Sequence, residues 1–223
     1  MTGPNADLEW RPGSVPVSRR FEDPFYSLDN GFGEARHVFL GGNDLPESFR
    51  PGFQIAELGF GTGLNLLVAL RTWREAGIPG KLRFVSFEAY PLTAGEMEAA
   101  LAAFPQIAAE ADLLLTHWRR GHNRIEAPDL VAEIIFGDAR VTLPRWQGMA
   151  DAWFLDGFAP ARNPELWEPD LLSGIGRRTR PGGTCATYTA AGCVRRGLAD
   201  AGFTVKKVPG FGRKRHMTVG RLA

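Results

Sequence analysis

The sequence predicts an α/β fold of the Rossmann-like type, with a mostly parallel sheet and helices on both faces. Three observations predict it. From residue 53 onward, strand-like apolar runs alternate with helix-like runs. The run 53–58 leads into Gly59, Gly61 and Gly63, and the helical pattern 64–74 follows at once, which is typical of a nucleotide-binding turn. The length of 223 residues suits one such domain with a small additional segment.

The first 50 residues are predicted to form an extension, and residues 51–223 the main domain. Residues 1–20 are rich in Pro, Gly and Ser, which indicates an irregular arm. Residues 35–40 form a short apolar run that ends at two glycines, and this pattern predicts a strand. We therefore expect a small antiparallel β extension ahead of the main sheet.

Seven strands are expected in the main domain, the last of them antiparallel. The predicted strands are 53–58, 82–87, 130–136, 151–155, 184–188, 203–208 and 216–219. The predicted helices are 64–74, 93–104, 107–118, one or two within 164–180, and 190–201. Thr93 and Glu96 have the spacing of a capping box, and residues 119–124 are expected to be a polar loop.

The spacing of the three glycines bears on the ligand. A dinucleotide fingerprint reads G-x-G-x-x-G, whereas here the third glycine comes one residue early. Glu57, two residues before the first glycine, would repel a pyrophosphate and would suit a cationic centre such as the sulfonium of S-adenosylmethionine. The predicted closing hairpin also fits methyltransferases that use this cofactor. NAD or FAD, and a glycine turn that binds nothing, remain alternatives at this point.

Acidic residues follow three of the predicted parallel strands. Glu88 is placed to bind the ribose hydroxyls of an adenosine ligand, or is a surface carboxylate at a strand end. Asp138 is placed to bind an adenine amino group. Asp156 ends the fourth strand, next to the glycine turn in space, and Phe158 lies two residues further on.

Asp156 suits the chemistry of methyl transfer to an amine. An amine is mostly protonated near neutral pH, with a pKa of about 10. A carboxylate can hold the ammonium form, accept its proton and orient the lone pair, and an aromatic face such as Phe158 favours the positive charge. The sequence Asp-Gly-Phe-Ala thus stands in the place of the Asn/Asp-Pro-Pro-aromatic motif of amino-group methyltransferases. A plain turn at the strand end is the alternative.

The charge of the chain is unevenly distributed. Residues 177–223 carry eleven Lys and Arg against one acid, Asp200, for a net charge of +10, whereas residues 1–176 carry −9. This indicates an anionic partner for the C-terminal part, or alternatively a solvated helix face and lysines that protect a sheet edge. The two cysteines and four histidines show no metal-ligand spacing, so no metal is expected. We find neither a signal peptide nor an apolar run of ~20 residues, and expect a cytoplasmic protein without membrane contact.

Several motifs occur in the order found in one bacterial methyltransferase family. They are DPFYS (23–27), HVFLGGN (37–43), ELGFGTGLN (57–65), FVSFE (84–88), GDA (137–139), DAWFLDGFAPARNP (151–164), PGGT (181–184) and GFGRKR (210–215). The chain thus resembles the family that completes 5-methylaminomethyl-2-thiouridine in tRNA, which comprises the MnmC methyltransferase domain and its stand-alone MnmD relatives.

The resemblance implies a class I methyltransferase fold and methyl transfer from S-adenosylmethionine to the amine of 5-aminomethyl-2-thiouridine at the tRNA wobble position. It implies that Asp156 is the base. It assigns the cofactor to Tyr26, Ser27, Glu57, Gly59, Phe60, Gly61, Thr62, Gly63, Asn65, Glu88, Asp138, Ala139, Asp156 and Phe158. The segment 119–124 is shorter than in many relatives and departs from the family pattern there.

The basic C-terminal residues are then candidates for binding the phosphates of the anticodon arm. With Phe158, the predicted tRNA contacts are Arg195, Arg196, Arg213, Lys214 and Arg215, and further candidates are Arg177, Arg178, Lys206 and Lys207. A separate oxidase or wobble-uridine-modifying enzyme is expected to supply the aminomethyl group. The alternatives are a methyltransferase of the same fold that acts on a small-molecule or protein amine, a NAD-binding oxidoreductase and a non-enzymatic RNA-binding module.

Overall fold

An eight-stranded sheet organises the structure, a computed structural model that describes residues 5–11, 15–27 and 30–223. Its strands are β4 (Gln54–Leu58), β5 (Leu82–Glu88), β6 (Arg124–Ala127), β7 (Leu130–Phe136), β8 (Ala150–Leu155), β9 (Thr179–Thr187), β10 (Phe203–Pro209) and β11 (His216–Leu222). They lie in the order β10-β11-β9-β8-β4-β5-β7-β6. The five central strands, β9 to β7, are parallel, and β11 runs antiparallel between β9 and β10. The predicted Rossmann-like fold is confirmed.

The sheet has one strand more than the seven predicted. The additional strand is β6, which pairs antiparallel with β7 at the sheet edge. Of its four residues only Ile125 is buried, so its alternation of apolar and polar residues is too short to be recognised. The strand forms because the free edge of β7 offers it backbone partners, and the expectation of seven strands is therefore corrected to eight.

Seven α-helices accompany the sheets in the described part of the chain. They are α1 (Gly31–Ala35), α2 (Leu64–Glu75), α3 (Ala94–Leu101), α4 (Ala108–Trp118), α5 (Ala139–Thr142), α6 (Pro169–Arg177) and α7 (Gly192–Asp200). The capping box of α3 forms as predicted, because the Thr93 hydroxyl accepts from the Glu96 N–H while the Glu96 carboxylate accepts from the Thr93 N–H.

The predicted strand at residues 35–40 is wrong, because this segment is helical. α1 begins after Asn30, whose side chain accepts a hydrogen bond from the Gly33 N–H at 2.7 Å. The helix continues as a π-helical turn, Arg36–Leu40, which buries three apolar side chains in the core. One of them, Phe39, packs its ring against Phe154 of β8, with 5.4 Å between the centroids. Packing against the sheet thus overrides the local strand preference of the run.

The antiparallel extension does exist, but two of its three strands come from the segment predicted to be irregular. Three short strands, β1 (Leu8–Arg11), β2 (Val15–Ser18) and β3 (Asp23–Pro24), form an antiparallel sheet. β2 is buried along its whole length, including Val15 and Val17. Residues 1–4 and 12–14 of the predicted arm lie outside the described residues.

Two apolar cores cover the two faces of the large sheet. Ile55 of β4 faces the core that contains α2 and α4, whereas its neighbours Ala56 and Leu58 face the core that contains α6 and α7. Val15 and Val38 join the first core, so the N-terminal segments pack directly on the main sheet. Because the central strands are covered on both faces, only their ends are open to a ligand.

No single helix among the described residues is long and apolar enough to span a bilayer. One bent pair of helical segments, 94–101 with 105–118, passes by length and composition alone, with an angle of 117° between them.

Candidate active site

A cavity of about 720 Å³ opens at the carboxyl ends of the parallel strands. The residues that directly follow or end five neighbouring strands line it: Gly59 after β4, Glu88 on β5, Gly137 and Asp138 after β7, Asp156 after β8 and Tyr188 after β9. The strand order puts Asp156 and Tyr188 on one side of the glycine turn, and Glu88 and Asp138 on the other. The cavity therefore has two ends of different chemistry.

The glycine turn is built so that β4 and β8 approach each other closely. Gly59 has φ of +84°, and a Cβ added to it would lie 2.0 Å from the carbonyl oxygen of Asp156. Gly63 has φ of +79°, and its Cβ would lie 2.7 Å from the side chain of Leu114 on α4. A side chain at position 59 would collide with the backbone of Asp156, and the positive φ at both positions favours glycine.

Glu88 holds the glycine turn while it lines the cavity. One carboxylate oxygen accepts from the Gly61 N–H at 2.9 Å, and the other accepts from the Tyr90 N–H at 2.6 Å. Burial raises the pKa of Glu88, and the backbone hydrogen bonds oppose that rise. Glu88 thus lies at the cavity wall with its carboxylate fixed in orientation, and its binding of a ribose stays a prediction.

Glu57 does not line the cavity. It is fully buried beneath the turn, where its carboxylate accepts from Asn65 Nδ2 at 2.9 Å and from the Ser86 hydroxyl at 2.6 Å. Burial raises the pKa of Glu57 well above its ordinary value. The expectation that Glu57 faces a cationic ligand is therefore replaced by an indirect role, because the side chain that it orients, Asn65, does line the cavity.

Asn65 joins the two halves of the site. Its Nδ2 atom donates one hydrogen bond to Glu57 and a second, at 2.7 Å, to Asp156 Oδ2. Both amide hydrogens are thereby used on carboxylates, one beneath the turn and one in the cavity. The first helical turn of α2 thus fixes the Asp156 side chain.

Asp156 is a half-buried carboxylate with an ionisation close to neutral pH. Burial, first of all, raises the pKa of Asp156 to about 7. The Asn65 hydrogen bond and the positive charge of Lys214 oppose the rise, while the negative charges of Glu34 and Asp23 add to it. A carboxylate of this kind is suited to accept and release a proton near pH 7.

Phe158 belongs to an aromatic roof at the cavity. Its ring stacks on Phe21 with 4.7 Å between centroids and meets Phe25 edge-on at 5.2 Å. The backbone beside it is held from the N-terminal sheet, since the Ala159 N–H donates to the Asp23 carboxylate at 2.9 Å. Arg162 donates to the carbonyl of Glu22, the residue that precedes Asp23.

The other predicted cofactor residues lie at the cavity in different ways. Asp138 pairs with Arg140 at 2.7 Å, which lowers the pKa of Asp138. Tyr26 lines the cavity, and its hydroxyl donates to the carbonyl of Ala100 on α3. The remaining predicted residues that line the cavity are Ser27, Phe60, Gly61, Thr62 and Ala139, whereas Gly63 lies behind it as the N-cap of α2.

The basic residues do not form one surface. Arg213 and Lys214, in the loop between β10 and β11, line the cavity, and Arg215 is exposed beside them. Arg195 and Arg196 lie on α7, outside the cavity lining.

Four further basic residues lie away from the site. Lys206 and Lys207 are exposed on β10, the edge strand, as the alternative interpretation of the charge expected. Arg177 and Arg178 lie just before β9, whose first residue pairs with Ala150 at the start of β8. They are therefore at the opposite end of the sheet from Asp156.

Sequence reasoning gave no role to two residues that line the cavity near Asp156, Glu34 and Tyr188. Tyr188 directly follows β9, so the rule that identified the acids at the other strand ends would also have identified it. Glu34 could not be found in this way, because the segment that carries it was interpreted as the approach to a strand.

The cavity suits an adenosyl ligand with a cationic centre. Gly59 and Gly61 line the cavity without a Cβ atom, Glu88 offers a fixed carboxylate, and Asp156 and Asn65 border the space beside them. Among the described residues, no group of three His, Cys, Asp or Glu side chains is arranged to hold a metal ion.

Comparison with known proteins agrees with this geometry. Residues 105–223 match a family described as S-adenosyl-L-methionine-dependent methyltransferase. The chain is 45% identical over 216 residues to the tRNA 5-methylaminomethyl-2-thiouridine biosynthesis bifunctional protein MnmC of Caulobacter vibrioides, covering 93% of this chain and 36% of that protein. It is 44% identical over 230 residues to the protein of the same name from Chromohalobacter salexigens, covering 97% of this chain and 33% of that protein. The chain thus spans about a third of the length of these curated relatives.

Two solved structures are similar to this chain in fold. The chain superposes on MNMC2 from Aquifex aeolicus with a TM-score of 0.79 and 27% identity, covering 99% of this chain and 72% of that one. It superposes on TrmN from Thermus thermophilus with a TM-score of 0.53 and 19% identity, covering 91% of this chain and 54% of that one, which shows a shared fold.

Proposed function

Because the chain belongs to a family of S-adenosyl-L-methionine-dependent methyltransferases, we propose that it methylates the amine of 5-aminomethyl-2-thiouridine at the tRNA wobble position. The observation that carries the proposal is Asp156, a carboxylate with a pKa of about 7 that borders the cavity beside the glycine turn. The names of the curated relatives, which refer to biosynthesis of the methylated nucleoside, support the choice of substrate.

The adenosyl end of the cavity lies over β4, β5 and β7. Glu88 would take the ribose hydroxyls, Asp138 the adenine amino group, and the backbone of residues 59–62 the rest of the ligand. When bound there, S-adenosylmethionine supplies an electrophilic methyl group and departs as a neutral thioether.

The reacting end lies over β8 and β9, where Asp156 stands. The substrate amine arrives mostly as an ammonium ion, since such amines have a pKa of about 10. Ionised Asp156 attracts this ion, accepts one of its protons and leaves a lone pair on nitrogen, which then forms the new N–C bond. Asn65 keeps the carboxylate in one orientation during this proton transfer. Phe158 presents an aromatic ring close to the positive charge.

The loop of residues 210–215 is the proposed contact with the anticodon arm. Arg213 borders the cavity and Arg215 is exposed next to it, so phosphates bound there would bring the wobble base to the opening. Arg195 and Arg196 on α7, outside the cavity lining, would be a separate contact with the tRNA. A tRNA substrate also implies a cytoplasmic reaction and an upstream oxidase or wobble-uridine-modifying activity that produces the aminomethyl group.

Nucleoside mass spectrometry tests the proposal directly. Purified protein is incubated with S-adenosylmethionine and tRNA that carries 5-aminomethyl-2-thiouridine, and the digested nucleosides are analysed. We expect conversion to 5-methylaminomethyl-2-thiouridine by the natural protein and by Asp112→Asn, which removes an exposed charge on α4. We expect Asp156→Ala to lose most of the turnover. Methylation of free small amines or of proteins at a higher rate than of tRNA would contradict the proposed substrate.

A further inference from the structure

One lysine of the basic loop is turned into the cavity. The Lys214 ammonium lies 2.7 Å from Glu34 Oε1 and 3.9 Å from the centroid of the Tyr188 ring. A carboxylate and an aromatic face are the two groups that best hold an ammonium ion without a metal. The side chain of Glu34 is only 11% exposed, so the carboxylate of this ion pair is largely shielded from solvent.

These two groups lie at the reacting end of the cavity. Tyr188 follows β9, the strand beside β8, and its hydroxyl donates to the Gly157 carbonyl at 2.7 Å, one residue after Asp156. Glu34 is close enough for its charge to act on Asp156. Glu34, Tyr188 and Asp156 all line the same cavity. An ammonium ion held by Glu34 and Tyr188 is therefore a neighbour of the proposed base.

We propose that Glu34 and the ring of Tyr188 form the subsite for the substrate ammonium group, and that Lys214 fills this subsite in the free protein. The inference rests on the proposed function for the identity of the substrate. Two ammonium ions on one carboxylate repel each other in a partly desolvated site, so Lys214 must leave when the aminomethyl group enters.

The position of Lys214 in the chain explains how it leaves. It lies between Arg213 and Arg215, in the loop proposed to meet RNA phosphates, and its side chain is 42% exposed. A phosphate of the anticodon arm offers Lys214 a second anionic partner outside the cavity. Binding of RNA to the loop thereby vacates the ammonium subsite. In the absence of RNA, Lys214 occupies the subsite and excludes small cations.

The test compares the affinities of two anticodon stem-loops, one with 5-aminomethyl-2-thiouridine and one with 2-thiouridine at the wobble position, so that the two differ only in the aminomethyl group. Their ratio isolates the contribution of the ammonium group, since phosphate contacts are common to both. For the natural protein we expect the aminomethyl stem-loop to bind roughly 10-fold more tightly, the size of one charged hydrogen bond net of the displaced lysine. Glu34→Gln should reduce the ratio several-fold and leave the part contributed by Asp156 and the Tyr188 ring, whereas Lys214→Met should keep or increase the ratio.

Two results would overturn the subsite. One is a ratio that survives Glu34→Gln, and the other is a ratio that Lys214→Met abolishes, as expected if the Glu34–Lys214 pair only maintains the fold. Arg215→Met removes the same charge from the same loop and should weaken both stem-loops equally. Calorimetry with S-adenosylmethionine checks that each variant still binds the cofactor with the affinity of the natural protein. Because the readout is binding, a protein that discriminates the two stem-loops without methylating either would refute the proposed function and leave the subsite standing.

Discussion

Replacing Asp156 by asparagine is expected to stabilise the protein at alkaline pH while it removes the proposed base. The folded pKa of Asp156 is about 7 against an ordinary value of 3.8. A group with a raised folded pKa favours the folded state in its protonated form, so this contribution is lost as pH rises from the unfolded to the folded pKa. Natural protein should therefore lose stability relative to the Asp156→Asn variant between about pH 4 and pH 7.

The magnitude follows from the two ionisation equilibria. Between pH 5 and pH 8 the raised pKa corresponds to about 2.6 kcal/mol for a fully desolvated carboxylate. Asp156 borders an open cavity, so solvent reduces this to roughly 1–2 kcal/mol. The asparagine variant keeps an oxygen that can accept from Asn65, so the comparison isolates the charge. For a domain of this size the change in stability corresponds to about 2–8 °C in Tm.

The assay is thermal unfolding of both proteins without cofactor at pH 5 and pH 8. We expect the Tm of Asp156→Asn to exceed that of the natural protein by a margin that is larger at pH 8. Asp112→Asn serves as the control, because it removes an exposed carboxylate on α4 that does not line the cavity. A margin for Asp156→Asn that is constant or shrinks from pH 5 to pH 8 would refute the account of a buried, destabilising charge.

Further predictions concern the glycine turn, the amide that joins the site and the basic loop. Gly59→Ala should destabilise the protein by roughly 2–4 kcal/mol and abolish cofactor binding in calorimetry, whereas Gly77→Ala, also at positive φ but in open space, should cost only about 1 kcal/mol. Asn65→Ala removes a hydrogen bond that lowers the pKa of the proposed base, so the rise of kcat/KM with pH should move upward by about one pH unit; an unchanged profile would contradict this. Arg215→Ala should lower the slope of log affinity for tRNA against log salt by about 1, and Arg177→Ala, at the other end of the sheet, should leave it unchanged.

The central sheet could be predicted because its strands are long and bounded by turns. The run that became β4 is followed by glycines, and β7 is seven residues of mostly apolar sequence. The N-terminal part could not be predicted in the same way. Val38, Phe39 and Leu40 form a short apolar run that suits either a strand or a buried helix, and only their packing against β8 decides between them.

The site was predictable where a residue ends a parallel strand, as for Glu88, Asp138 and Asp156. Prediction failed where the position of a side chain depends on contacts between segments that are distant in the sequence. Glu57 precedes the turn in the sequence, yet hydrogen bonds from Asn65 and Ser86 retain it beneath the cavity. Lys214 belongs to a basic run in the sequence, but its ammonium group pairs inside the cavity with Glu34, 180 residues earlier in the chain.

The way the cavity is closed determines which part of the protein unfolds first. The rim of the cavity is formed by segments nearly 190 residues apart in the chain, with Phe21 and Asp23 from one and Phe211 and Lys214 from the other. The N-terminal segment is held in a sheet of only short strands, β1 to β3. Such distant closures are entropically costly and are supported by few hydrogen bonds, whereas β4, β5 and β8 are buried on both faces. On warming, the ligand-free protein should open at its roof first. Amide hydrogens of residues 15–25 would then exchange with solvent well before those of the central strands, so that the capacity to bind disappears while the Rossmann-like core is still intact.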